Sequence, residues 1–334
     1  VYLLGVEGQF FCLELTTGRV IWQRSINEEF GVKQDFFGTV GTPLLEGDRL
    51  IINVGAPGGP CVAAFHKMTG RILWTAGNKW GPGYASPIPA TIHGQRRVFV
   101  FAGGDSRPSI GGLLSLSPAT GAIDFEFPWR SSKYESVNAM CPIVIDDQVF
   151  ISATYRTGSA LLKIGPDFKP KTTWTIGDRE RNDDSNGNGV GIHWNTPVVD
   201  GGFLYAFDGR NEPDASMVCI DLKAGTVKWR DIPEWEETVE FNGESQKVTL
   251  STLRGSLLKV DGSFLCVGEL GHLMWYDLSP NGPKLLARSW PFFSRETWAP
   301  PVISRGLLYM TQNQRDPLTG KRPRLICFDL RAGK

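Results

Sequence analysis

Short apolar runs separated by glycine-containing turns dominate the hydrophobic pattern of the chain. The stretch "FCLELTTGRVIW" (residues 11–22) predicts a strand, a tight turn and a second strand that closes on tryptophan. The same pattern returns in "AAFHKMTGRILW" (residues 63–74) and "VCIDLKAGTVKW" (residues 218–229). Amphipathic segments of helical period and length are missing between these hairpins. The pattern therefore predicts an all-β chain built from repeated hairpins.

A repeat of roughly 50 residues underlies these hairpins. The position before each turn is held by Glu14, His66, Ser117, Gly165, Asp221, Asp277 and Asp329. A small residue followed by proline recurs with the same period, at Thr42-Pro43, Ser86-Pro87, Cys141-Pro142, Thr196-Pro197 and Pro300-Pro301. An apolar strand such as "RLIINVG" follows most of these prolines, and the opening "VYLLG" is another copy of it. Each unit thus reads as four short strands joined by tight turns.

Units of this kind cannot bury their own faces, but stacking them around an axis does so and leaves only short, protected edges. The sequence therefore predicts a β-propeller of about seven to eight four-stranded blades, as a single domain over residues 1–334. A doubly wound fold would need crossover helices, and an immunoglobulin-type array would need repeats of about 100 residues. The first repeat lacks its opening strand, and the last repeat ends before its tryptophan strand. We therefore expect incomplete terminal blades and a natural chain that extends beyond them.

The residues that define the repeat have structural explanations. Glycine permits the positive φ of a tight turn, and the closing tryptophan can fill the gap between adjacent sheets and donate its N–H there. Cys12, Cys219 and Cys327 occupy one equivalent strand position in different repeats, so they predict small buried hydrophobes rather than disulfide partners. We assign no catalytic role to these positions.

The overall charge argues against several classes of partner. The chain has 35 basic and 35 acidic residues, whereas a nucleic-acid binder normally carries a basic excess. Its apolar runs are shorter than the roughly 18 residues that a membrane span needs. We expect a monomer without a transmembrane segment that does not bind nucleic acid.

The motifs "DLKAGTVKW" and "ELTTGRVIW" resemble the tryptophan-docking repeat of quinoprotein-like propellers, also described as PQQ-like or BamB-like. That family includes PQQ-dependent alcohol and sugar dehydrogenases and a non-enzymatic scaffold lipoprotein of the outer-membrane barrel assembly machinery. The resemblance implies an exported, periplasmic protein. Our leading hypothesis is a non-catalytic scaffold or recognition module whose loop face binds a protein or a polar ligand.

Two alternatives stay open at this stage. The first is a PQQ- and calcium-dependent dehydrogenase of alcohols or sugars, and the second is a carbohydrate-binding propeller. The resemblance implies, for the alcohol dehydrogenases, a quinone packed between a tryptophan and a disulfide of adjacent cysteines. None of the six cysteines here is adjacent to another. The sequence therefore favours a protein without a cofactor, with PQQ and calcium as the cofactors of the enzymatic alternative.

Residues that precede the recurrent prolines predict the binding site. If the repeats align, large aromatic side chains from different blades reach one mouth of the propeller, where aromatic and arginine residues make good anchors. The competing interpretation is a packed plug of aromatic side chains between the blades. The predicted channel-mouth residues are Tyr84, His193, Trp194, Asn195, Arg295, Glu296 and Trp298.

One loop carries part of a calcium-binding pattern. Asp184, Asn186 and Asn188 fit the alternating oxygen ligands that open a calcium loop. The twelfth position, which should be a bidentate glutamate, is Asn195. A flexible turn rich in glycine and asparagine is the simpler interpretation of this loop.

Overall fold

The computed structural model describes residues 1–33, 38–104, 109–178, 189–210, 215–241 and 243–331. Contacts between residues divide the chain into two compact units, residues 1–194 and residues 195–334. The single domain expected over residues 1–334 stays a prediction.

The first unit contains four antiparallel sheets in which sequential strands are neighbours. Its first sheet has three strands, β1 (Tyr2–Leu4), β2 (Gln9–Leu13) and β3 (Val20–Ser25). The second has four, β4 (Leu44–Glu46), β5 (Arg49–Asn53), β6 (Val62–His66) and β7 (Ile72–Ala76). The third comprises β8 (Ile88–Ile92), β9 (Gln95–Ala102), β10 (Gly112–Leu116) and β11 (Ile123–Pro128). The fourth comprises β12 (Ile143–Ile145), β13 (Gln148–Ala153), β14 (Gly158–Ile164) and β15 (Pro170–Ile176).

The second unit contains three further sheets of the same pattern and one separate hairpin. The first sheet comprises β16 (Val198–Asp200), β17 (Phe203–Asp208), β18 (Ser216–Asp221) and β19 (Thr226–Asp231). The hairpin follows as β20 (Glu234–Phe241) and β21 (Glu244–Ser251). The next sheet comprises β22 (Ser256–Val260), β23 (Ser263–Val267), β24 (Leu273–Ser279) and β25 (Gly282–Ser289), and the last comprises β26 (Val302–Ser304), β27 (Leu307–Gln312) and β28 (Arg324–Asp329).

These sheets confirm the predicted β-propeller fold with four-stranded blades. The described residues form seven blade-type sheets, of which five have four strands and two have three. The recurrent prolines stand just before the first strand of five sheets, namely β4, β8, β12, β16 and β26. The hairpin β20–β21 was not predicted, although alternating residues on both sides of an Asn-Gly pair in the sequence are a typical hairpin signal.

Only one short helix occurs in the described part of the chain. It is α1 (Ile26–Phe30), and it ends at Gly31, whose φ of 65° is the left-handed conformation that glycine adopts easily at a helix C-terminus. The described residues therefore contain no helix that is long and apolar enough to cross a membrane.

The third and fourth strands of most sheets share one irregularity. A shift in strand register recurs at the same place in six sheets, immediately after the residue that pairs with the closing position of the repeat. The pairs are Cys12 with Trp22, Ala64 with Trp74, Ser115 with Phe125, Leu161 with Trp174, Cys219 with Trp229 and Trp275 with Ala287. A bulge increases the local twist of a strand. We therefore expect the same local increase in twist at this position of all six sheets.

Three closing tryptophans use their indole N–H to join consecutive sheets. Each indole donates to a backbone carbonyl in the turn between the third and fourth strands of the next sheet. The pairs are Trp22 Nε1 with Lys67 O (2.9 Å), Trp74 Nε1 with Pro118 O (3.0 Å) and Trp229 Nε1 with Ser279 O (2.7 Å). The hydrogen bond satisfies the polar end of a ring whose apolar part packs between the sheets.

The cysteines follow the packing of their strands. No disulfide links any of the six, all of which lie in the described part of the chain. Cys12 and Cys219 are buried, which confirms the prediction of small hydrophobes, and burial raises the pKa of the Cys219 thiol to about 11. The prediction is wrong for Cys327, which is exposed. Its strand β28 is an edge strand of a three-stranded sheet among the described residues.

Candidate functional site

A large groove crosses the ends of three successive sheets in the first unit. Its volume is about 1060 Å³, and its walls are residues 79–80, 109–111, 128–133 and 155–157, with Thr175 on β15. These segments belong to four different connections, β7–β8, β9–β10, β11–β12 and β13–β14. Connections into a first strand and between second and third strands therefore meet here, as expected of the loop face of a propeller. We call this site the basic groove.

Hydrogen bonds lock two of the walls together. The Ser131 hydroxyl donates to Tyr155 O at 2.6 Å, and the indole of Trp129 donates to Gly158 O at 3.2 Å. Both bonds join the β11–β12 connection to the β13–β14 connection. Trp129 also stacks on Phe127, with ring centroids 6.1 Å apart. The two connections therefore form one rigid wall.

Arg130 fastens a third connection to this wall. Its guanidinium donates to the carbonyl oxygens of Ile110 (3.4 Å), Tyr134 (3.2 Å) and Ser136 (2.7 Å). The buried Asn138 side chain adds bonds to Ala102 O at 2.8 Å and Trp129 O at 2.9 Å. A site that is held in place before binding loses less conformational entropy when a ligand arrives.

The turn between β13 and β14 has an unusual backbone. Tyr155 and Arg156 both have positive φ, 61° and 69°, which is the feature of a type I′ turn. Such turns favour asparagine and glycine, since a residue with a Cβ loses about 1–2 kcal/mol in this conformation. The buried Asp178 carboxylate supports the turn by accepting the Arg156 N–H at 2.9 Å. The folded state is therefore less stable with a tyrosine and an arginine in the β13–β14 turn than it would be with glycine or asparagine there.

The electrostatic character of the basic groove is one-sided. Its described lining includes the cations Lys79, Arg130, Lys133 and Arg156, and no aspartate, glutamate, histidine or cysteine. Lys79 is ion-paired with Glu126, which lies outside the lining. The remaining polar lining consists of the serine and threonine residues Ser109, Ser131, Ser132, Thr157 and Thr175. Because the chain as a whole has equal numbers of acidic and basic residues, the groove concentrates positive charge.

The predicted channel-mouth residues of the first unit lie close to this site but do not line it. Tyr84 is half-buried, and its backbone N–H donates to Asn138 O at 2.9 Å. His193 is half-buried and packs edge-on against Tyr155, with ring centroids 5.7 Å apart. Trp194 is also half-buried. Tyr84 and His193 therefore contact residues that support or line the groove.

Trp298, in the second unit, takes part in a buried ionic network. Its indole N–H donates to a carboxylate oxygen of Glu269 at 2.6 Å, and the Arg254 guanidinium lies 5.1 Å from its ring centroid. Glu269 is only 1% exposed and is ion-paired with Arg254. These contacts are those of a packed residue, so they favour the plug interpretation at this position.

The other predicted residues of the second unit differ in exposure. Asn195 is buried, and its side-chain amide donates to Gly255 O. Arg295 and Glu296 are exposed, and Glu296 accepts hydrogen bonds from Asn313 at its backbone oxygen and from Gln314 at its carboxylate. The predicted mouth is therefore split between the two units, and its joint role in binding stays a prediction.

The predicted calcium residues Asp184, Asn186 and Asn188 lie outside the described residues. Within the described ranges, no group of three or more histidine, cysteine, aspartate or glutamate side chains could hold a metal ion.

The basic groove was not predicted from the sequence. Its residues come from four connections and share no position in the repeat, so the periodic signal gave no reason to group them. The segment "PWRSSK" (residues 128–133) has a tryptophan beside two cations directly after a predicted strand, and this local signal could have marked one wall.

Comparison with known families decides the classification. A family model described as outer membrane protein assembly factor BamB matches residues 1–231. The chain belongs to the BamB family of PQQ-like propellers. No curated protein matches the BamB-like chain.

Solved structures share the fold of this BamB-like chain at low sequence identity. BamB from Moraxella catarrhalis has a TM-score of 0.50 and 13% identity, over 93% of this chain and 90% of that one. The C-terminal domain of PilY1 from Pseudomonas aeruginosa has a TM-score of 0.57 and 13% identity, over 84% and 79%. A europium-containing methanol dehydrogenase has a TM-score of 0.55 and 12% identity, over 98% and 76%. At these identities the likeness establishes the fold alone.

The buried carboxylates of the BamB-like chain test its fit to calcium and PQQ. Four carboxylates are buried among the described residues, and each is bound to arginine or to backbone amides. Asp178 accepts from Arg156 N, Asp208 pairs with Arg230, Glu269 pairs with Arg254, and Asp316 accepts from Leu318 N and Thr319 N. Calcium needs six to eight oxygen ligands. These four carboxylates are therefore already engaged by partners within the protein and do not form a set of calcium ligands.

Proposed function

We propose that this chain is a non-catalytic recognition module that binds a protein partner through its loop face. The observation that carries the proposal is the basic groove, a site of about 1060 Å³ with a preformed wall. This volume lies at the upper end of the range of about 300–1,000 Å³ typical of small-molecule sites, so the groove has room for a segment of a polypeptide.

The chemistry of the groove supports binding rather than catalysis. A serine or threonine nucleophile is activated by an adjacent general base, most often histidine or a carboxylate. The described lining has serine and threonine hydroxyls but no histidine, aspartate or glutamate beside them. The description of the matching family as an assembly factor is consistent with a protein partner. We further propose that the protein works as a monomer outside the cytoplasm.

Site-specific photocrosslinking tests this function. A photoreactive amino acid at Ser132, which is exposed in the groove, is irradiated in an extract of the organism that encodes the chain. The matched control carries the same group at Thr16, an exposed residue in the turn between β2 and β3. We expect a discrete crosslinked protein from Ser132 and none from Thr16. Equal labelling from both positions, or none from either, would contradict the proposed function.

A further inference from the structure

We infer that the basic groove recognises a carboxylate-rich polypeptide segment of its partner, an inference that rests on the proposed function and specifies its ligand. Three of its cations come from separate connections: Lys133 from β11–β12, Arg156 from β13–β14, and Lys79, whose ion pair with Glu126 leaves its side chain largely exposed, from β7–β8. Cations spaced along a groove match several carboxylates on one extended chain better than one compact anion.

Arg156 is the strongest single indication. Its side chain is exposed and lines the groove, and its φ of 69° is a conformation that favours glycine. An exposed arginine gains little packing that would offset this backbone cost. Strained residues of this kind concentrate at functional sites, where the geometry is retained for binding.

The aromatic residues separate a peptide ligand from sugars and nucleic acids. Single-stranded nucleic acids and carbohydrates need accessible ring faces on which bases or sugars can stack. Trp80 is only 6% exposed and Tyr155 only 8%, while Trp129 already stacks on Phe127. Trp80 and Tyr155 therefore offer little open face, and the half-buried Trp129 has one face covered by Phe127. Carboxylates need only the cations and hydroxyl groups that remain accessible, in charge-assisted hydrogen bonds.

Rigid walls add to this complementarity. The hydrogen bonds from Ser131 and Trp129 join the β11–β12 and β13–β14 connections, and the bond from Arg130 to Ile110 O joins the β9–β10 connection to them. Charge complementarity between a fixed basic groove and an acidic segment also accelerates association and makes it sensitive to salt.

A peptide array tests the ligand class on the whole purified chain. Ten-residue peptides on a Gly/Ser/Phe background carry zero to five glutamates, and a second series carries lysine at the same positions. We expect retention to rise with the number of glutamates, to fall with added salt and to be absent for lysine. Peptide retention that does not depend on the number of glutamates would overturn the inference.

Two charge-reversal variants localise the effect. Arg156→Glu should reduce retention of the five-glutamate peptide at least tenfold, whereas Lys223→Glu, at an exposed turn of the second unit, should leave it unchanged. Equal loss in both variants would mean a general charge effect and would overturn the inference. Stronger displacement of the peptide by an oligogalacturonate or by a deoxythymidine decamer than by unlabelled peptide would also overturn it, in favour of those ligand classes.

The two proposals can fail separately. If the five-glutamate peptide, present during irradiation, does not reduce crosslinking of the protein at Ser132, the ligand class is overturned and the recognition function stands. A failure to crosslink any protein at Ser132 would contradict the recognition function itself, whatever the array shows.

Discussion

The indole of Trp74 lies against Gly121 in the next sheet, where a Cβ on the glycine would come within 2.6 Å of the ring. The same indole donates to Pro118 O in that turn. Gly121 also has a φ of 75°. The glycine of the repeat therefore serves two purposes, since it permits the turn and makes room for the tryptophan of the preceding sheet.

This arrangement predicts a position-dependent cost of replacing turn glycines. Gly121→Ala should lower the free energy of unfolding by about 1–2 kcal/mol for the positive φ and by about 1–3 kcal/mol more for overpacking. Gly18→Ala is the matched control, because Gly18 has a φ of 72° and open space where the Cβ would stand. Urea unfolding measures both. In a Trp74→Ala background the excess cost of Gly121→Ala should disappear, and its persistence would contradict this explanation.

The contact between Trp298 and Glu269 predicts a structural role for a residue first proposed to bind ligand. Trp298→Phe removes the hydrogen bond to a buried carboxylate and should lower the free energy of unfolding by about 1–3 kcal/mol. In a Glu269→Gln background the acceptor is no longer charged, so the same change should cost less. A double-mutant cycle by urea unfolding gives the coupling energy. A coupling near zero would show that the bond contributes nothing to stability.

His272 predicts a pH-dependent loss of stability. It is fully buried, with its ring stacked on Trp290 (centroids 4.4 Å apart) and edge-on to Trp235 (4.8 Å). Burial, with the nearby charge of Arg288, lowers its pKa from 6.5 to about 3. At a pH between about 3 and 6.5, His272 is protonated in the unfolded chain and neutral in the folded chain. The free energy of unfolding should therefore fall as the pH drops below 6.5, by up to about 1.4 kcal/mol per pH unit.

The measurement is urea unfolding at pH 7.5 and pH 4.5 of the native chain and of His272→Phe, which keeps a stacking ring. The loss between the two pH values should be about 2–3 kcal/mol smaller in His272→Phe. Thr16→Ala, at an exposed turn, is the control and should keep the native pH dependence. An identical pH dependence in all three proteins would mean that His272 is protonated in the folded state.

Arg156 predicts a separation of stability from binding. Arg156→Gly relieves the positive φ and removes an exposed side chain, so the free energy of unfolding should stay unchanged or rise by up to about 1 kcal/mol. The same variant should lose the binding of acidic peptides. Thermal unfolding and the peptide array are run on the same sample. A variant that is less stable than the native chain would contradict the assignment of strain to this turn.

The repetitive part of the molecule could be predicted from sequence because the same physical requirement recurs in every sheet. The pre-turn residue Asp221, for example, accepts the backbone N–H groups of Lys223 and Ala224 at 3.0 Å, as expected of an aspartate before a tight turn. The exposure of Cys327 was not predictable from its repeat position, since it depends on whether a fourth strand covers that edge.

The basic groove could not be predicted because its residues are brought together only by the stacking of sheets. Lys79 and Arg156 are far apart in sequence and lie in connections of different length and composition. The positive φ of Arg156 is likewise invisible in the sequence, where an arginine in a turn usually indicates a solvated charge. Conversely, the alignment of repeats grouped Trp298 with Tyr84, although Trp298 is held by a local ionic network.

The most direct test of the recognition function uses the partner that crosslinking identifies, purified in its free form. Its affinity is measured by titration against the native chain, Arg156→Glu and Lys223→Glu. All three are first shown to have the same thermal unfolding midpoint. The account predicts at least tenfold weaker binding for Arg156→Glu and native affinity for Lys223→Glu. Native affinity in the Arg156→Glu variant would contradict it, because the partner would then bind elsewhere than the basic groove.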